Sequence, residues 1–255
     1  MPTNWLKYNV LIPPEIALPL LFGLAAALYT SVGHAGASAY IAAMALVGTA
    51  PLAMRPTALI LNIFVASLGV FRFHRAGLID WRMSGLLALG AAPAATLGGA
   101  ISLPPETYKP LLGLVLFAAS VRLFWPKSIT ETGLTPPPDW LLTLTGAGIG
   151  LLSGLTGTGG GIFLSPLMIF LGWAAARQVS GIAIAFILVN SVFGLAGNLA
   201  SIRYLPPDLP VSIAAVLAGA LIGTVFGINR LPRDAILRVL GVVLLIASAK
   251  LVGIW

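Results

Sequence analysis

The chain has 255 residues, of which 58% are hydrophobic and only 8% charged, with a mean hydropathy of +1.01. A soluble domain carries about 25% charged and about 45–50% apolar residues, so the polar side chains here could not cover a water-facing globule. The absence of cysteine excludes disulfide scaffolds, thiol catalysis and Cys-ligated metal centres, and a total of 2 histidines argues against a multi-histidine site. The net charge of +7 comes from 14 basic residues thinly spread along apolar sequence, which makes no basic face for nucleic acid. Composition therefore indicates an all-α integral membrane protein in contact with the lipid bilayer, and implies no cofactor.

Residues 1–15 do not read as a signal peptide, because the apolar run Val10–Ile12 stops at Pro13-Pro14, far short of an h-region. Ten apolar stretches follow, near 16–33, 37–50, 56–73, 83–102, 108–125, 140–156, 161–174, 179–200, 211–228 and 236–254. They lack the alternation of a barrel strand, and small residues such as Gly85, Gly90, Gly98 and Gly99 favour close helix approach. A spanning helix needs about 20 apolar residues. The stretches 37–50 and 161–174 are shorter, so each forms with its predecessor either two thin spans or the arms of a re-entrant hairpin. Pro126–Asp139, with Pro136-Pro137-Pro138, is a stiff linker. It divides an N-terminal unit, 1–125, from a C-terminal unit, 140–255, the two forming one domain.

The two units are related in sequence. At an offset of 124, Gly33 and Gly36 fall on Gly157 and Gly160, and Met44 and Gly48 on Met168 and Gly172. At an offset of 128, Asn62 meets Asn190, Asp80 meets Asp208, Ser84 meets Ser212, Thr96 meets Thr224 and Leu103-Pro104 meets Leu231-Pro232. Residues 62–125 and 190–253 share 18 identities in 64 positions, many at Gly, Pro, Asn, Ser and Thr. Basic residues decide the orientation. The segment 72–82 carries Arg72, Arg75 and Arg82 while 103–109 carries only Lys109; in the second unit 200–211 carries only Arg203 and 229–238 carries Arg230, Arg233 and Arg238. Inverted five-segment repeats put six of these on one side against two; adding Arg122, Lys127 and Arg177 puts nine of the 14 inside, with both termini outside.

Two glycine-rich turns break the apolar pattern at equivalent places, Ser31-Val32-Gly33-His34-Ala35-Gly36-Ala37-Ser38 and Thr156-Gly157-Thr158-Gly159-Gly160-Gly161. Irregular backbone at membrane depth needs protein or a water-filled cavity to satisfy it. A helix is expected to start after each turn, aiming free N–H groups and a positive dipole end at it. The same glycines also suit a tight hairpin; their duplication favours an anion site of the broken-helix type. A nucleotide fold is rejected because no strand precedes the turn.

Gly157-Thr158-Gly159-Gly160-Gly161 followed by Pro166-Leu167 resembles the G-x-G-G-G-x-x-x-x-P-x-L turn of the TauE/SafE sulfite exporter family. The duplicated architecture, the length and Ala176-Arg177-Gln178-Val179 agree with that family over nearly the whole chain. The resemblance implies a multi-pass carrier of small sulfur-containing anions, such as sulfite and organosulfonates, in the bacterial inner membrane. The first turn departs from the pattern, since Gly33-His34-Ala35-Gly36-Ala37 lacks the triple glycine and the following stretch lacks the matching proline.

All seven acids, Glu15, Asp80, Glu106, Glu131, Asp139, Asp208 and Asp234, fall at loops or span ends. A cation substrate commonly requires an intramembrane carboxylate, so the expected cargo is a small anion held by backbone N–H groups, hydroxyls and amides. The candidate ligands are Gly33, His34, Gly36 and Ser38 in the first turn, and Thr156, Gly157, Thr158, Gly159, Gly160 and Gly161 in the second. Asn62 and Asn190 join them as repeat-equivalent amides inside spans, with Ser191 and Asn198 as weaker candidates. Interhelical glue predicts the same placement for the asparagines, and a locally bonded core histidine the same for His34. Arg55 and Arg177 read either as vestibule attractants or as snorkelling anchors, and His74 as solvated in a basic loop. The six tryptophans, Trp5, Trp81, Trp125, Trp140, Trp173 and Trp255, read as an interfacial belt.

The leading expectation is a secondary carrier in which one half rocks against the other. The inside-negative potential would drive an anion outward without a coupled cation, at about 2.3 kcal/mol per charge per 100 mV. The alternatives are an anion channel and an intramembrane enzyme. The second has neither H-E-x-x-H nor G-x-S-x-G, and would rest on Ser31 or Ser38 with His34.

Overall fold

The computed structural model describes residues 14–31, 33–124, 134–229 and 233–253. The expectations for residues 1–13, for most of the linker, and for Glu131, Trp5, Trp125, Trp255, Lys127, Arg230 and Leu231-Pro232 lie outside the described residues. The regular elements among those described are all helices: α1 (Pro14–Ser31), α2 (Ala37–Leu46), α3 (Pro51–Arg75), α4 (Trp81–Ala100), α5 (Pro105–Phe124), α6 (Asp139–Thr156), α7 (Gly161–Phe170), α8 (Ala176–Gly197), a 3-10 helix (Leu199–Tyr204), α9 (Leu209–Asn229) and α10 (Arg233–Val252). Three of them, Pro51–Arg75, Trp81–Ala100 and Arg177–Gly197, are long and apolar enough on their own to cross a membrane.

Local chemistry sets the bounds. Pro51 opens α3 at its first turn, where its missing N–H costs nothing, and α3 then runs through Pro56 instead of starting there. The second stretch of each unit is shorter than its apolar run because glycine stops it. Gly48 and Gly172 have φ of +80° and +64°, and Thr49 N–H and Trp173 N–H donate back to Met44 O and Met168 O, both at 2.9 Å, the Schellman closure of a helix end. Asp80 caps α4 by accepting from Met83 N–H at 2.9 Å. Arg72, His74 and Arg75 lie in the last turn of α3, not in a loop. Arg72 reaches Leu221 O and the Thr224 hydroxyl, and His74 Nδ1 accepts from Trp81 Nε1 at 3.3 Å.

Glycine seams hold the helices together. A Cβ on Gly90 would lie 1.9 Å from Thr143 O, and one on Gly146 2.0 Å from Leu87 O, so α4 and α6 touch backbone to backbone. Residues 87, 91 and 95 meet 146, 150 and 154 in the same order, so the two helices run parallel. A second seam joins α1 to α9, where Gly219 faces Gly23 O and Gly223 faces Ala27 O, again in parallel order. By contrast α3 and α8 run antiparallel: Asn62 meets Ser191 and Gly69 meets Ile184. So do α5 and α10, through the reciprocal bonds Ser120 Oγ to Gly241 O at 2.8 Å and Ser248 Oγ to Gly113 O at 2.7 Å.

These contacts define two ends of the bundle. At one, α4, α6 and α8 start, marked by the Arg82–Asp139 ion pair at 2.6 Å and by Gly181 against Leu78. At the other, α3 and α5 start while α4, α6 and α8 finish. The short α2 and α7, of 10 residues each, rise about 15 Å at 1.5 Å per residue, half of a hydrocarbon core about 30 Å thick. Each returns to the end from which its preceding helix set out. Every residue of α2 from Ala37 to Ala45 is buried, whereas Leu20, Leu24, Leu89, Leu97, Leu114 and Leu144 point outward from the longer helices with 59–67% of their surface exposed. That is the surface expected to face lipid. Trp81 and Trp140 are exposed at helix starts, but Trp173 is buried. It closes a half-helix packed inside the bundle and so is no part of the interfacial belt.

The seam makes a direct test. Gly90→Ala should destabilise the detergent-solubilised protein by about 1–3 kcal/mol, as overpacking usually costs, and so lower its thermal unfolding temperature. On the same helix Gly85 meets nothing within 4 Å, and Gly85→Ala should leave the unfolding temperature level or raise it. Equal losses in the two variants would contradict the seam.

Candidate functional site

Both glycine turns adopt backbone that other residues resist. Gly33 and Gly36 have φ of +82° and +107°, and Gly157, Gly159 and Gly160 have +81°, +76° and +78°. Gly161 is the first residue of α7, and a Cβ there would sit 2.3 Å from Ile187 Cδ1. The first helical bonds are Ala39 N–H and Tyr40 N–H to Gly36 O, and Phe163 N–H and Leu164 N–H to Gly160 O. The N–H groups before them, at the positive ends of two half-helices, face the interior of the bundle.

The second turn carries the meeting point. His34 Nε2 lies 3.2 Å from Gly161 O, which brings the two turns together. A Cβ on Gly159 would be 2.3 Å from Asn62 Nδ2, and one on Gly160 3.2 Å from Asn190 Nδ2. Asn62 donates to Ser191 Oγ at 3.3 Å, while its Oδ1 has no hydrogen-bond partner among the described residues. Asn190 is wholly buried, and neither its Nδ2 nor its Oδ1 has a partner there. Leaving a buried polar group unmade costs about 1–3 kcal/mol. An amide doubly unsatisfied beside a helix start is therefore the feature that calls for a ligand.

The remaining candidates are bound into the frame around this cluster. Ser38 Oγ pairs with Tyr29 Oη at 2.8 Å, and Gly36 packs on Tyr40, whose hydroxyl donates to Ala35 O at 2.6 Å. Thr156 and Thr158 bond each other at 3.0 Å, and Tyr108 Oη donates to Thr156 O at 3.0 Å. Gly33 packs on Ser180, and Gly157 on Arg55. The structure thus unites His34, Asn62, Gly159, Gly160, Gly161 and Asn190, with Ser191. It leaves Gly33, Gly36, Ser38, Thr156, Gly157 and Thr158 as supports. Sequence reasoning passed over Tyr29, Tyr40 and Tyr108. The signal was available, since a tyrosine within an apolar segment still needs a partner for its hydroxyl. No group of three or more metal-ligating side chains occurs among the described residues.

Arg55 corrects the snorkelling alternative. It is 6% exposed and points inward, donating to Ile101 O at 3.0 Å, to Leu155 O at 3.4 Å and to Gly99 O. Arg177 is exposed at the start of α8.

Residues 18–251 match the family described as Sulfite exporter TauE/SafE. The chain is 39% identical over 240 residues to the probable membrane transporter protein y4hK of Sinorhizobium fredii (strain NBRC 101917 / NGR234), covering 92% of this chain and 97% of that one. It is 28% identical over 255 residues to the probable membrane transporter protein YjnA of Bacillus subtilis (strain 168), covering 91% and 98%. No solved structure matches.

The unsatisfied amide separates a ligand site from interhelical glue. Asn190→Leu, of similar volume, should raise the stability of the folded protein by about 1–3 kcal/mol, because it removes two unmade hydrogen bonds. Thermal or denaturant unfolding in detergent measures this, and a loss of stability would mean that the amide holds helices together.

Proposed function

The chain belongs to the TauE/SafE sulfite exporter family, and from that premise we propose that this membrane transporter carries a small sulfur-containing oxyanion of the sulfite, thiosulfate or organosulfonate class. The anion is held between the starts of α2 and α7 by their backbone N–H groups, with Asn62 and Asn190 as side-chain donors and His34, bonded to Gly161 O, joining the two turns beside them. The observation that carries this reading is Asn190, buried beside Gly160 with both amide atoms unpartnered. Anions suit the positive ends of helices, and paired half-helices at mid-depth are the usual carrier solution.

The proposed frame is a pair of inverted five-helix repeats, 1–125 and 140–255, joined by the linker 126–139, in which α1–α2 and α6–α7 are re-entrant hairpins. Supporting it, the equivalent helices α3 and α8 run antiparallel, as do α5 and α10, and the Ser120–Gly241 and Ser248–Gly113 bonds exchange under the repeat offset. The proposed setting is the bacterial inner membrane, multi-pass, with the Arg72–Arg82 end inside and both termini outside. A carrier is favoured over a channel because Asn190, Ser191 and Asn62 are 0–1% exposed, so the cluster is closed to both ends in this conformation. Alternating access then requires movement around it.

Proteoliposomes test the proposal. Under an imposed potential, sulfite, thiosulfate or a small organosulfonate should show saturable, electrogenic flux that acetate does not match. Asn190→Ala should reduce it roughly 10- to 100-fold, the worth of a hydrogen bond to a charged group, with the protein still folded. Flux that does not saturate would favour a channel, and no flux of any sulfur anion in folded protein would end the substrate assignment.

A further inference from the structure

The end of the bundle where α3 and α5 begin holds a charge that the central cluster does not use. Arg55 is the one charged side chain among the described buried residues. All three of its acceptors, Gly99 O, Ile101 O and Leu155 O, are carbonyls at the closing turns of α4 and α6. Those carbonyls are the negative ends of α4 and α6 and offset part of the guanidinium charge, but no carboxylate pairs with it among the described residues, and a buried cation without a counter-ion is expensive. Its Nε has no hydrogen-bond partner among the described residues. The ion pair found among them joins Arg82 to Asp139 at the opposite end; Glu106, in the first turn of α5, is exposed and makes none with Arg55.

Beside Arg55 opens a cavity of about 40 Å³, lined also by Ser102, Tyr108, Asn198 and Ser201 within an apolar rim. One water needs roughly 10–15 Å³, so the space admits a small oxyanion. Of the polar lining groups, the Tyr108 hydroxyl has its proton on Thr156 O, which leaves Arg55 and Asn198 as the main donors. Ser201 Oγ donates to Asn198 Oδ1 at 2.7 Å, which assigns the amide oxygen and leaves its NH₂ to donate. The starts of α3 and α5, with Pro51 and Pro105 in the lining, add two positive dipole ends.

We infer that this cavity is a second anion-binding site, in which a small oxyanion neutralises Arg55 from the aqueous side. Its inner wall is the back of the second glycine turn: a Cβ on Gly157 would lie 2.8 Å from Arg55 Cγ, and Tyr108 bonds Thr156 O. The same turn reaches Asn62 and Asn190 two and three residues later. As a station on the transport route the cavity rests on the function proposed above; as a binding site it does not.

Equilibrium binding of radiolabelled sulfite to the purified full chain in detergent tests it. Ser102 is exposed at the rim, so Ser102→Asp should fold normally while placing a carboxylate beside the guanidinium. It should bind one equivalent fewer than the wild type, or bind that equivalent about tenfold or more weakly; Arg55→Gln should do the same, and Arg55→Lys should restore part of the loss. Asn190→Ala should keep the Arg55 equivalent and lose the central one. Unchanged binding in folded Ser102→Asp overturns the second site and leaves the central site standing. Loss in Ser102→Asp with none in Asn190→Ala upholds the cavity and overturns the central site. No binding in folded wild type overturns both.

Discussion

A helix that begins inside an apolar medium leaves its first N–H groups without intrahelical partners, and much of this structure follows from two such beginnings. Water cannot satisfy them at membrane depth, so α2 and α7 have to be enclosed by protein. The enclosure is visible in the burial of α2 along its length and in the tyrosines whose hydroxyls take up carbonyls nearby, Tyr40 on Ala35 O and Tyr108 on Thr156 O. What the frame leaves over is polar capacity in one place, the N–H groups of the helix starts and the unpartnered amide atoms of Asn62 and Asn190. An oxyanion could answer several of those donors at once.

Enclosure in turn demands close helices. The long helices must surround two half-helices and still present continuous apolar surface outward, which wide side chains at every contact would prevent. Glycine at Gly90, Gly146, Gly150 and Gly154 lets α4 and α6 meet through backbone atoms, and Gly219 and Gly223 do the same for α9 on α1. Large residues are then released to the outer surface, where Leu89, Leu97 and Leu144 are exposed. Packing through small residues is the route open to helices in lipid, where burying leucine against leucine gains little over leucine against an acyl chain.

Composition made the helical class legible, and the duplicated Gly33/Gly157 and Asn62/Asn190 positions made the turns and the amides legible, because polar or conformationally special residues stand out against apolar sequence. Less legible was anything that depends on which helix lies next to which. Ser38 is read by position alone as a ligand, and only the packing of α1 on α2 shows its hydroxyl paired with Tyr29 Oη. Trp173 has the sequence position of a belt residue and is buried, although Phe170 and Leu171 just before it are exposed, a difference that only tertiary packing shows. Arg55 sat near a presumed span start and suggested snorkelling, but α3 begins four residues earlier, at Pro51, and turns it toward the ends of α4 and α6. Pro56 misled in the same way, being a breaker in sequence that α3 accommodates within its length.

The arrangement of the seams bears on how such a carrier could move. Rocking one sequence half against the other would require α4 to slide on α6 and α1 on α9, yet those are the contacts where backbone meets backbone, with no side chain to accommodate a shift. The antiparallel pairs are made differently. Between α3 and α8 the contact runs through side chains, Gly69 against Ile184 and Asn62 against Ser191, and side chains change rotamer at modest cost. Helices joined by a glycine seam would therefore favour moving as one body even though they come from different halves of the chain, while the contact of α3 with α8, which carry Asn62 and Asn190, runs through side chains. Movement there would change the donors around the anion and the access to it in a single step, which is what alternating access around a central site requires.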